Sequence, residues 1–222
     1  MKRFALPVVA VAVLGLAAAA PSFAGTNLVI NGDFSTPALT PGGWGLFTSA
    51  QVTGWSTTDA GGLMEIDTAG PIGPGKDPFA TQSLEVNANN PETVEQTITG
   101  LTVGQTYWLG WAYGDRPGSG DESMQVLLNG VLITTDSDTA NNSSLFWTKN
   151  GFEVVATSTS ETLSFVGLAD SGLPSYGNEV TDVSLIATPE PSTWLLMISG
   201  LGFVAFAAWR QRGVAMPNIS AI

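Results

Sequence analysis

Residues 124–135 read MQVLLNGVLITT and contain the strongest hairpin signal in the chain. Two aliphatic, partly β-branched runs flank the dipeptide Asn129-Gly130. Both central residues of a type I′ turn need a positive φ angle, which Asn and Gly adopt at low cost, and this turn matches the twist of two antiparallel strands. The stretch therefore predicts a hairpin with strands at Met124–Leu128 and Val131–Thr135.

Further strand-like segments continue on both sides of this hairpin, between residues 27 and 187. Gly, Pro, Asn and Asp, the usual turn residues, separate most of them. They lie at Leu28–Ile30, Gln82–Asn87, Thr93–Thr99, Gln105–Tyr113, Phe152–Ala156, Thr162–Gly167 and Glu179–Ile186. Residues 35–80 are rich in Gly, Pro and Thr, so we expect long loops there with one or two short strands.

The spacing of these segments favours an all-β fold. Eight or nine short strands with turns between them are typical of a β-sandwich or jelly roll. A parallel α/β fold needs helical crossovers, and no segment of this region has a sustained apolar period of 3.6 residues. We therefore predict an all-β, two-sheet jelly-roll sandwich over residues 25–187.

The charge and the missing residue types exclude several classes of function. Residues 25–188 contain 18 acidic and three basic residues, a net charge of −15. Such a surface repels nucleic-acid phosphates and anionic lipid headgroups, and it favours solubility or, as the sharper alternative, divalent-cation binding. Because the chain has no His and no Cys, disulfides, His- or Cys-based nucleophile systems and His/Cys zinc sites are excluded.

Residues 1–24 have the pattern of a secretory signal peptide. Met1-Lys2-Arg3 is a basic start, Ala5–Ala20 is apolar, and Ser22 and Ala24 are the small residues that signal peptidase requires. We expect export through the Sec translocon and cleavage by signal peptidase after Ala24. An uncleaved N-terminal anchor is the alternative.

An apolar segment near the C-terminus predicts a membrane helix. Trp194–Trp209 contains no charge, and with Thr193 it gives a predicted transmembrane helix at about residues 193–209. Arg210 and Arg212 follow as a stop-transfer signal, which places this end on the cytoplasmic side. A buried core helix is the alternative, but a segment that is apolar on all sides does not fit it.

The same region resembles a PEP-CTERM sorting signal over residues 188–212. The motif residues are Pro189, Glu190 and Pro191, followed by the apolar segment and the basic cluster. The resemblance implies a Gram-negative, exopolysaccharide-producing bacterium and processing by an exosortase-type membrane enzyme. It also implies transient anchoring in the inner membrane and release to the cell surface or extracellular matrix. Members of this family usually end soon after the basic cluster, whereas this chain continues with a tail at 213–222.

The central domain is similar to carbohydrate-binding modules with a galactose-binding-like jelly roll. The segments that carry the likeness are Asn27–Phe34, Gly54-Trp55, Gln82–Asn87, Val94–Thr97, Gly104–Tyr107, Leu163–Phe165 and Thr181–Leu185. The resemblance implies the fold, and it implies a structural calcium ion between the first and last strands. Asp182 matches the acidic position before the last strand. Ser35 stands where an acid often follows the first strand, so Asp33 is the other candidate ligand.

Aromatic side chains are the first candidates for ligand binding, because sugar rings present apolar C–H faces. They are Trp44, Trp55, Tyr107, Trp108, Trp111, Tyr113, Trp147 and Tyr176. Side chains alternate along a strand, which places Tyr107, Trp111 and Tyr113 with Leu109 on one face and predicts that they pack the core. Trp108 falls on the other face among small residues, so it is the candidate for an exposed glycan platform.

Acidic side chains supply the remaining candidates. The loop from Gly114 to Glu122 contains Asp115 and Arg116, which could bind sugar hydroxyls. The acids of this loop could instead coordinate Ca²⁺, or the loop could be a solvated one with a local Asp–Arg ion pair. Glu85, Glu95, Asp121 and Glu153 are examples of acids that a glycan hydrolase could pair. No acid lies in a distinctive catalytic motif.

These observations predict a non-catalytic protein of the cell surface or biofilm matrix that binds an exopolysaccharide weakly. The chemistry that remains without His and Cys, together with the two resemblances, supports this interpretation. A self-associating structural matrix protein is the alternative, because edge strands can mediate assembly. A carboxylate-based glycan hydrolase is a further alternative. No nucleic acid partner and no certain cofactor are expected, with structural calcium as the open case.

Overall fold

The computed structural model describes residues 25–68, 81–88, 90–116, 118–120, 122–138, 147–168, 177–189 and 191–212. These residues form eleven strands and one helix. The strands are β1 (Trp44–Thr48), β2 (Ser56–Thr57), β3 (Leu63–Thr68), β4 (Gln82–Glu85), β5 (Thr93–Thr99), β6 (Thr106–Asp115), β7 (Glu122–Leu128), β8 (Val131–Asp138), β9 (Trp147–Val155), β10 (Ser160–Gly167) and β11 (Asn178–Ala187). The helix α1 spans Pro191–Arg212.

The strands form two antiparallel sheets that pack face to face. The larger sheet has the order β1-β3-β4-β11-β6-β9, and the smaller sheet has the order β2-β5-β10-β7-β8. Most neighbours within a sheet are distant in sequence, as in Greek-key sandwiches. The prediction of an all-β, two-sheet sandwich is confirmed, and the strand order is consistent with a jelly roll.

The predicted hairpin is present as β7 and β8, and its turn has the expected geometry. Asn129 has a φ angle of 50° and Gly130 one of 73°, as a type I′ turn requires. The turn closes where Leu128 lies opposite Val131. The Asn129 Oδ1 atom also accepts a hydrogen bond of 2.9 Å from the Thr162 backbone N–H, which ties the turn to β10.

Aromatic rings from both sheets form the centre of the core. Trp55 packs against Phe34 and Phe165, with ring centroids 5.2 and 6.0 Å away. Trp111 of the larger sheet lies 6.4 Å from Phe165 of the smaller sheet. The core positions predicted for β6 are confirmed, since Tyr107, Leu109, Trp111 and Tyr113 are all buried.

A polar bond between two side chains joins the sheets inside this core. The Trp111 indole N–H donates a 2.6 Å hydrogen bond to Asp136 Oδ2 on β8. Burial raises the pKa of Asp136, while hydrogen bonds from Trp111 and Asn150 lower it. The indole therefore satisfies a carboxylate that would otherwise be costly to bury.

Two details of the strand prediction are wrong. Leu28–Ile30 is not a strand, because the Asn27 side chain replaces part of the ladder. Its Oδ1 atom accepts hydrogen bonds from the backbone N–H groups of Val29 and Leu185. The described part of residues 35–80 contains three strands (β1, β2 and β3) rather than one or two. Pairing of β3 with β4 and of β2 with β5 holds loop-like sequence in a strand conformation.

The C-terminal segment is helical, as predicted, but its membrane-spanning character is not confirmed. Among the described residues, no helix is both long enough and apolar enough to cross a membrane. Several apolar side chains of α1 are exposed, including Phe203 and Trp209. The predicted signal peptide at 1–24 and the tail at 213–222 lie outside the described residues.

Candidate functional site

The outer face of the larger sheet carries the candidate site. Side chains alternate between the two faces of a strand, so every second residue of this sheet points away from the smaller sheet. We use the name outer face for the positions Trp44, Glu65, Asp67, Ser83, Glu85, Glu179, Thr181, Gly110, Ala112, Gly114, Trp108, Lys149, Gly151 and Glu153. Their neighbours in the strands, such as Ile66, Leu84 and Val180, belong to the core.

Three glutamates form a row across adjacent strands of the outer face. Glu65 on β3 lies opposite Glu85 on β4, and Glu85 lies opposite Glu179 on β11. Like charges directly opposite one another destabilise a sheet. Asp67, two residues beyond Glu65, is a fourth acid on the same face, so the arrangement needs positive charge or protons to balance it. We call these four residues the acid cluster.

The acid cluster is buried although it points away from the core. Glu85 and Glu179 are fully buried, and Asp67 is 1% exposed. One carboxylate oxygen each from Glu65, Asp67 and Glu85 lie within 4.8 Å of one another. Three carboxylates therefore converge away from bulk water, and Glu179 lies directly opposite one of them, Glu85.

Arg116 is the positive charge that contacts this cluster among the residues that the structure describes. Its Nη1 atom lies 2.6 Å from Glu85 Oε2 and 3.7 Å from Glu65 Oε1. The Arg116 side chain is 20% exposed, so it lies at the boundary between the acid cluster and solvent. A guanidinium carries one positive charge. It cannot balance the four negative charges that the carboxylates would have if all were ionised.

Burial raises the pKa values of the acid cluster. It raises the pKa of Glu85 to about 8, against the lowering effect of Arg116. Burial and the charge of Glu65 raise the pKa of Asp67 to about 7, and burial raises the pKa of Glu179 well above its ordinary value. Desolvation disfavours the ionised form, so the cluster holds protons at neutral pH unless another cation replaces them.

Several oxygens of the acid cluster lack hydrogen-bond partners among the described residues. They are Asp67 Oδ2, Glu85 Oε1 and both carboxylate oxygens of Glu179. The Ser83 hydroxyl lies near Glu179 and favours its charged form, but the two side chains do not reach ordinary hydrogen-bond geometry. Buried polar atoms are normally paired, so these four oxygens mark the least satisfied region of the larger sheet.

Trp108 lies at the other end of the outer face and rests on glycine. A Cβ atom at Gly151 would lie 2.3 Å from Trp108 Cζ2 and 2.7 Å from Cε2, and one at Gly110 would lie 3.3 Å from Trp108 Nε1. The indole therefore occupies space that any larger residue at 151 would fill. Trp108 is half-buried, so part of the ring remains open to solvent.

The structure does not bring the three predicted glycan-binding residues into one small subsite. Trp108 and Arg116 are eight residues apart along β6 and its end, roughly 25 Å at the rise of a strand. Asp115 is buried and accepts a 2.6 Å hydrogen bond from the Ser119 hydroxyl. Trp44 was one of the aromatic candidates but was not chosen as the glycan platform. It lies opposite Asp67 on the outer face and is 58% exposed.

The predicted calcium ligands each have a partner of their own. Asp33 Oδ1 accepts hydrogen bonds from the Ser35 backbone N–H and hydroxyl, at 3.2 and 2.9 Å. Asp182 lies in a bulge of β11 with a φ angle of 52°, and its Oδ2 atom is 2.7 Å from Lys149 Nζ. The calcium prediction at this place stays a prediction.

Sequence reasoning missed most of the acid cluster. It named Glu85 only as one example of an acid, and it did not name Glu65, Asp67 or Glu179. The available signal was an acid that alternates with apolar residues inside a strand-like segment, as Glu65 and Asp67 do with Met64 and Ile66. Strand pairing, which the sequence does not give, is what makes these acids neighbours.

The C-terminal region matches a known family of sorting signals. Residues 187–212 fit the PEP-CTERM protein-sorting motif. The chain carries a PEP-CTERM motif. The predicted sorting signal is confirmed, and the PEP-CTERM motif implies export, membrane-associated sorting and an exosortase as the general kind of partner.

The sandwich is similar to several other proteins. Halomucin of Haloquadratum walsbyi is 27% identical over 144 residues, which is 64% of this chain and 2% of Halomucin. A cyclase from Fischerella sp. TAU is 17% identical with a TM-score of 0.53, covering 72% of this chain and 96% of the cyclase. The C-terminal family 22 carbohydrate-binding module of Clostridium thermocellum Xyn10B is 12% identical with a TM-score of 0.44. The match covers 61% of this chain and 87% of that module. The likeness to the cyclase concerns the fold alone, and this chain spans only about 2% of the length of Halomucin.

The PEP-CTERM motif begins where the sandwich ends. Thr188 is held by β6, since its backbone N–H donates a 3.0 Å bond to Thr106 O and its carbonyl accepts a 2.8 Å bond from Gln105 Nε2. Glu190 lies outside the described residues, and Pro191 begins α1, a position where proline is favoured. The matched segment therefore overlaps the end of β11, and its Pro189-Glu190-Pro191 residues follow directly after Thr188.

Proposed function

We propose that the sandwich domain binds a glycan on its outer face, without catalysis, after the PEP-CTERM motif has directed export. Trp108 is the observation that carries the proposal. Its indole rests on the floor that Gly110 and Gly151 leave open, and Trp108 is only partly buried. An aromatic ring held in this way offers an apolar plane, which suits the C–H face of a sugar ring.

Polar groups around Trp108 suit the hydroxyl groups of the same ligand. Glu153 lies directly opposite Trp108, and Lys149 lies further along β9 on the same face. The Ser184 hydroxyl lies beside Gly110, where it would be 3.2 Å from an added Cβ. Charged and hydroxyl groups at the rim of an apolar plane fix the orientation of a ligand.

The ligand that we propose is an exopolysaccharide at the cell surface or in the extracellular matrix. Export under the direction of the PEP-CTERM motif brings the domain to such polymers. A long polymer can also reach both Trp108 and Trp44, which lie on different strands of the outer face. Each contact can then be weak, because several together raise the affinity.

A glycan array with the full-length chain tests the proposal, and it includes the exopolysaccharide of the producing organism. We expect binding that Trp108→Ala weakens at least about tenfold, equal to a loss of about 1.4 kcal/mol. Trp209→Ala is the matched control, because Trp209 is an exposed tryptophan of α1, and its binding should equal that of the wild type. A wild-type chain that binds no polysaccharide contradicts the proposal.

The geometry of the acid cluster does not favour hydrolysis there. Glycosidases place two carboxyl groups about 5 to 9.5 Å apart on either side of the scissile bond. Glu85 and Glu179 are fully buried, so a sugar ring cannot reach them in this conformation. Release of sugar products from exopolysaccharide, abolished by Glu85→Gln, would overturn the non-catalytic assignment.

Self-association is a second candidate function, and the edge formed by β8 and β9 favours it. These two strands are neighbouring edges of the smaller and larger sheets. Val131, Leu132 and Val155 are more than half exposed there, and a groove between the two edges includes Ile133 and Val154. Exposed strand edges can pair with the same edge of a second copy.

Light scattering distinguishes this second candidate from the first. Self-association predicts a mass that rises with protein concentration and does not respond to added polysaccharide. Val155→Lys should reduce the rise, because it places a charge on the apolar edge. A mass that stays monomeric at every concentration contradicts the candidate.

A further inference from the structure

The acid cluster is built in a way that folding alone does not explain. Glu65, Glu85 and Glu179 lie directly opposite one another on three neighbouring strands, although repulsion between like charges weakens a sheet. A solvated surface would screen this repulsion. These three residues are 6% exposed or less as whole residues, so water does little to screen the repulsion between them.

Glu179 gives a second and independent observation. It is fully buried, and neither of its carboxylate oxygens has a hydrogen-bond partner among the described residues. It lies on the same face as Glu85, directly opposite it. A buried carboxylate with two unsatisfied oxygens is costly, and here it lies directly beside Glu85, another buried carboxylate.

The spacing of the oxygens fits one cation. Oxygens from Glu65, Asp67 and Glu85 all lie within 4.8 Å of one another, so one ion with calcium–oxygen distances of about 2.4 Å can contact all three. Ligands on opposite sides of one ion are separated by about twice that distance. Mg²⁺ demands shorter, octahedral bonds and keeps several waters, which suits a buried and acid-rich cluster less well.

We propose that Glu65, Asp67, Glu85 and Glu179 form a binding site for one Ca²⁺ ion that joins β3, β4 and β11. The ion supplies the charge that the single guanidinium of Arg116 does not. It satisfies oxygens of Asp67, Glu85 and Glu179 that have no other partner among the described residues. This site is separate from Asp33 and Asp182, and it does not depend on glycan binding.

The site is most open to solvent at Arg116. The side chains of Arg116 and Glu65 are 20% and 8% exposed, while that of Glu85 is fully buried. An ion therefore enters past Arg116. Trp44 lies opposite Asp67 on β1, so its indole can transfer excitation energy to a luminescent lanthanide bound in the cluster.

Calcium titration of the chelator-treated full-length chain is the first test. Isothermal titration should give one Ca²⁺ per chain, and the midpoint of thermal unfolding should rise by several degrees, since an ion that binds only the folded state stabilises it. Mg²⁺ at the same concentration should produce a much smaller rise. An unfolding midpoint that is the same in calcium and in chelator overturns the proposal.

Matched variants locate the ion. Asp67→Asn and Glu179→Gln should lose the calcium-dependent rise. Glu92→Gln should keep it, because Glu92 is also a buried acid with an unpartnered oxygen but lies outside the cluster. Asp182→Asn should keep it too. Calcium binding that survives Asp67→Asn but is lost in Asp182→Asn places the ion at the other site and refutes this one.

A lanthanide measurement decides the question if the cluster variants fail to fold. Tb³⁺ added to the wild-type chain should show luminescence excited through tryptophan, and excess Ca²⁺ should quench it. Trp44→Phe leaves every proposed ligand in place and should remove most of the signal. Wild-type signal that Ca²⁺ does not displace, or that persists fully in Trp44→Phe, counts against the proposed position.

Discussion

Gly151 provides the sharpest test of how the candidate glycan platform is built. A methyl group at this position would lie 2.3 Å from Trp108 Cζ2, whereas ordinary van der Waals contact begins at 3.4 Å. Gly151→Ala must therefore displace the indole by at least about 1.1 Å, the difference between those two distances. No positive φ angle is involved at Gly151, so the effect comes from the collision and not from backbone strain.

The expected loss of stability is modest, and the expected loss of binding is larger. Overpacking costs about 1–3 kcal/mol in a closed core, and the half-exposed Trp108 can yield outward, so we expect about 1 kcal/mol. A sugar that stacks on the displaced ring loses contact over the whole ring. We expect glycan affinity to fall about tenfold, which corresponds to about 1.4 kcal/mol.

Two measurements on one matched pair of variants check this reasoning. Urea unfolding followed by tryptophan fluorescence gives the stability, and titration with a bound glycan gives the affinity. Gly110→Ala is the control, because its Cβ atom would lie 3.2 Å from Ser184 Oγ and 3.3 Å from Trp108 Nε1, which small shifts relieve. Equal affinities for Gly151→Ala and the wild type, or equal losses in both variants, would refute the role of the glycine floor.

Three further predictions concern stability. Burial raises the pKa of Glu92 from 4.5 to about 7, so the folded state keeps a proton that the unfolded state has lost. The contribution of Glu92 to the free energy of unfolding therefore falls by about 1.4 kcal/mol per pH unit as the pH rises from about 4.5 to 7. Glu92→Gln should remove this pH dependence. Parallel plots of unfolding free energy against pH for the wild type and the variant would contradict the prediction. Trp111→Phe removes the donor to Asp136 Oδ2 and should lower the free energy of unfolding by about 1–3 kcal/mol, measured by denaturant unfolding. The same substitution should cost less in an Asp136→Ala background. If the effects of the two substitutions on stability simply add, the hydrogen bond contributes nothing. Gly130→Ala meets no atom within 4 Å but keeps a φ angle of 73°, so backbone strain alone should cost about 1–2 kcal/mol, and an unchanged urea midpoint would show that the turn relaxes.

The PEP-CTERM motif and the outer face belong to two separable parts of the molecule. Thr188 is the last residue bonded to the sheet, and α1 begins at Pro191. Processing near the motif would remove no strand of the sandwich. The proposed glycan and calcium sites lie wholly on the sandwich, so they would remain with the released domain.

Local sequence predicted those features whose causes are local. The turn at Asn129-Gly130 depends on two residues with positive φ angles, and both residue types are visible in the chain. The core face of β6 follows from alternation, and Tyr107, Trp111 and Tyr113 are buried as expected. The PEP-CTERM motif is a contiguous pattern, so it was recognisable without any knowledge of the fold.

Only the tertiary structure placed the residues that distant pairing brings together. Glu65, Glu85 and Glu179 are separated by 20 and 94 positions in the sequence, yet they form one row because β4 pairs with both β3 and β11. The same pairing converts part of the loop-rich region 35–80 into β1, β2 and β3. Alternation gives the face of each strand, but register between strands depends on the packing of the whole sandwich. The sequence therefore determined the class of fold, the hairpin and the sorting signal, while long-range register alone decided where the acids meet.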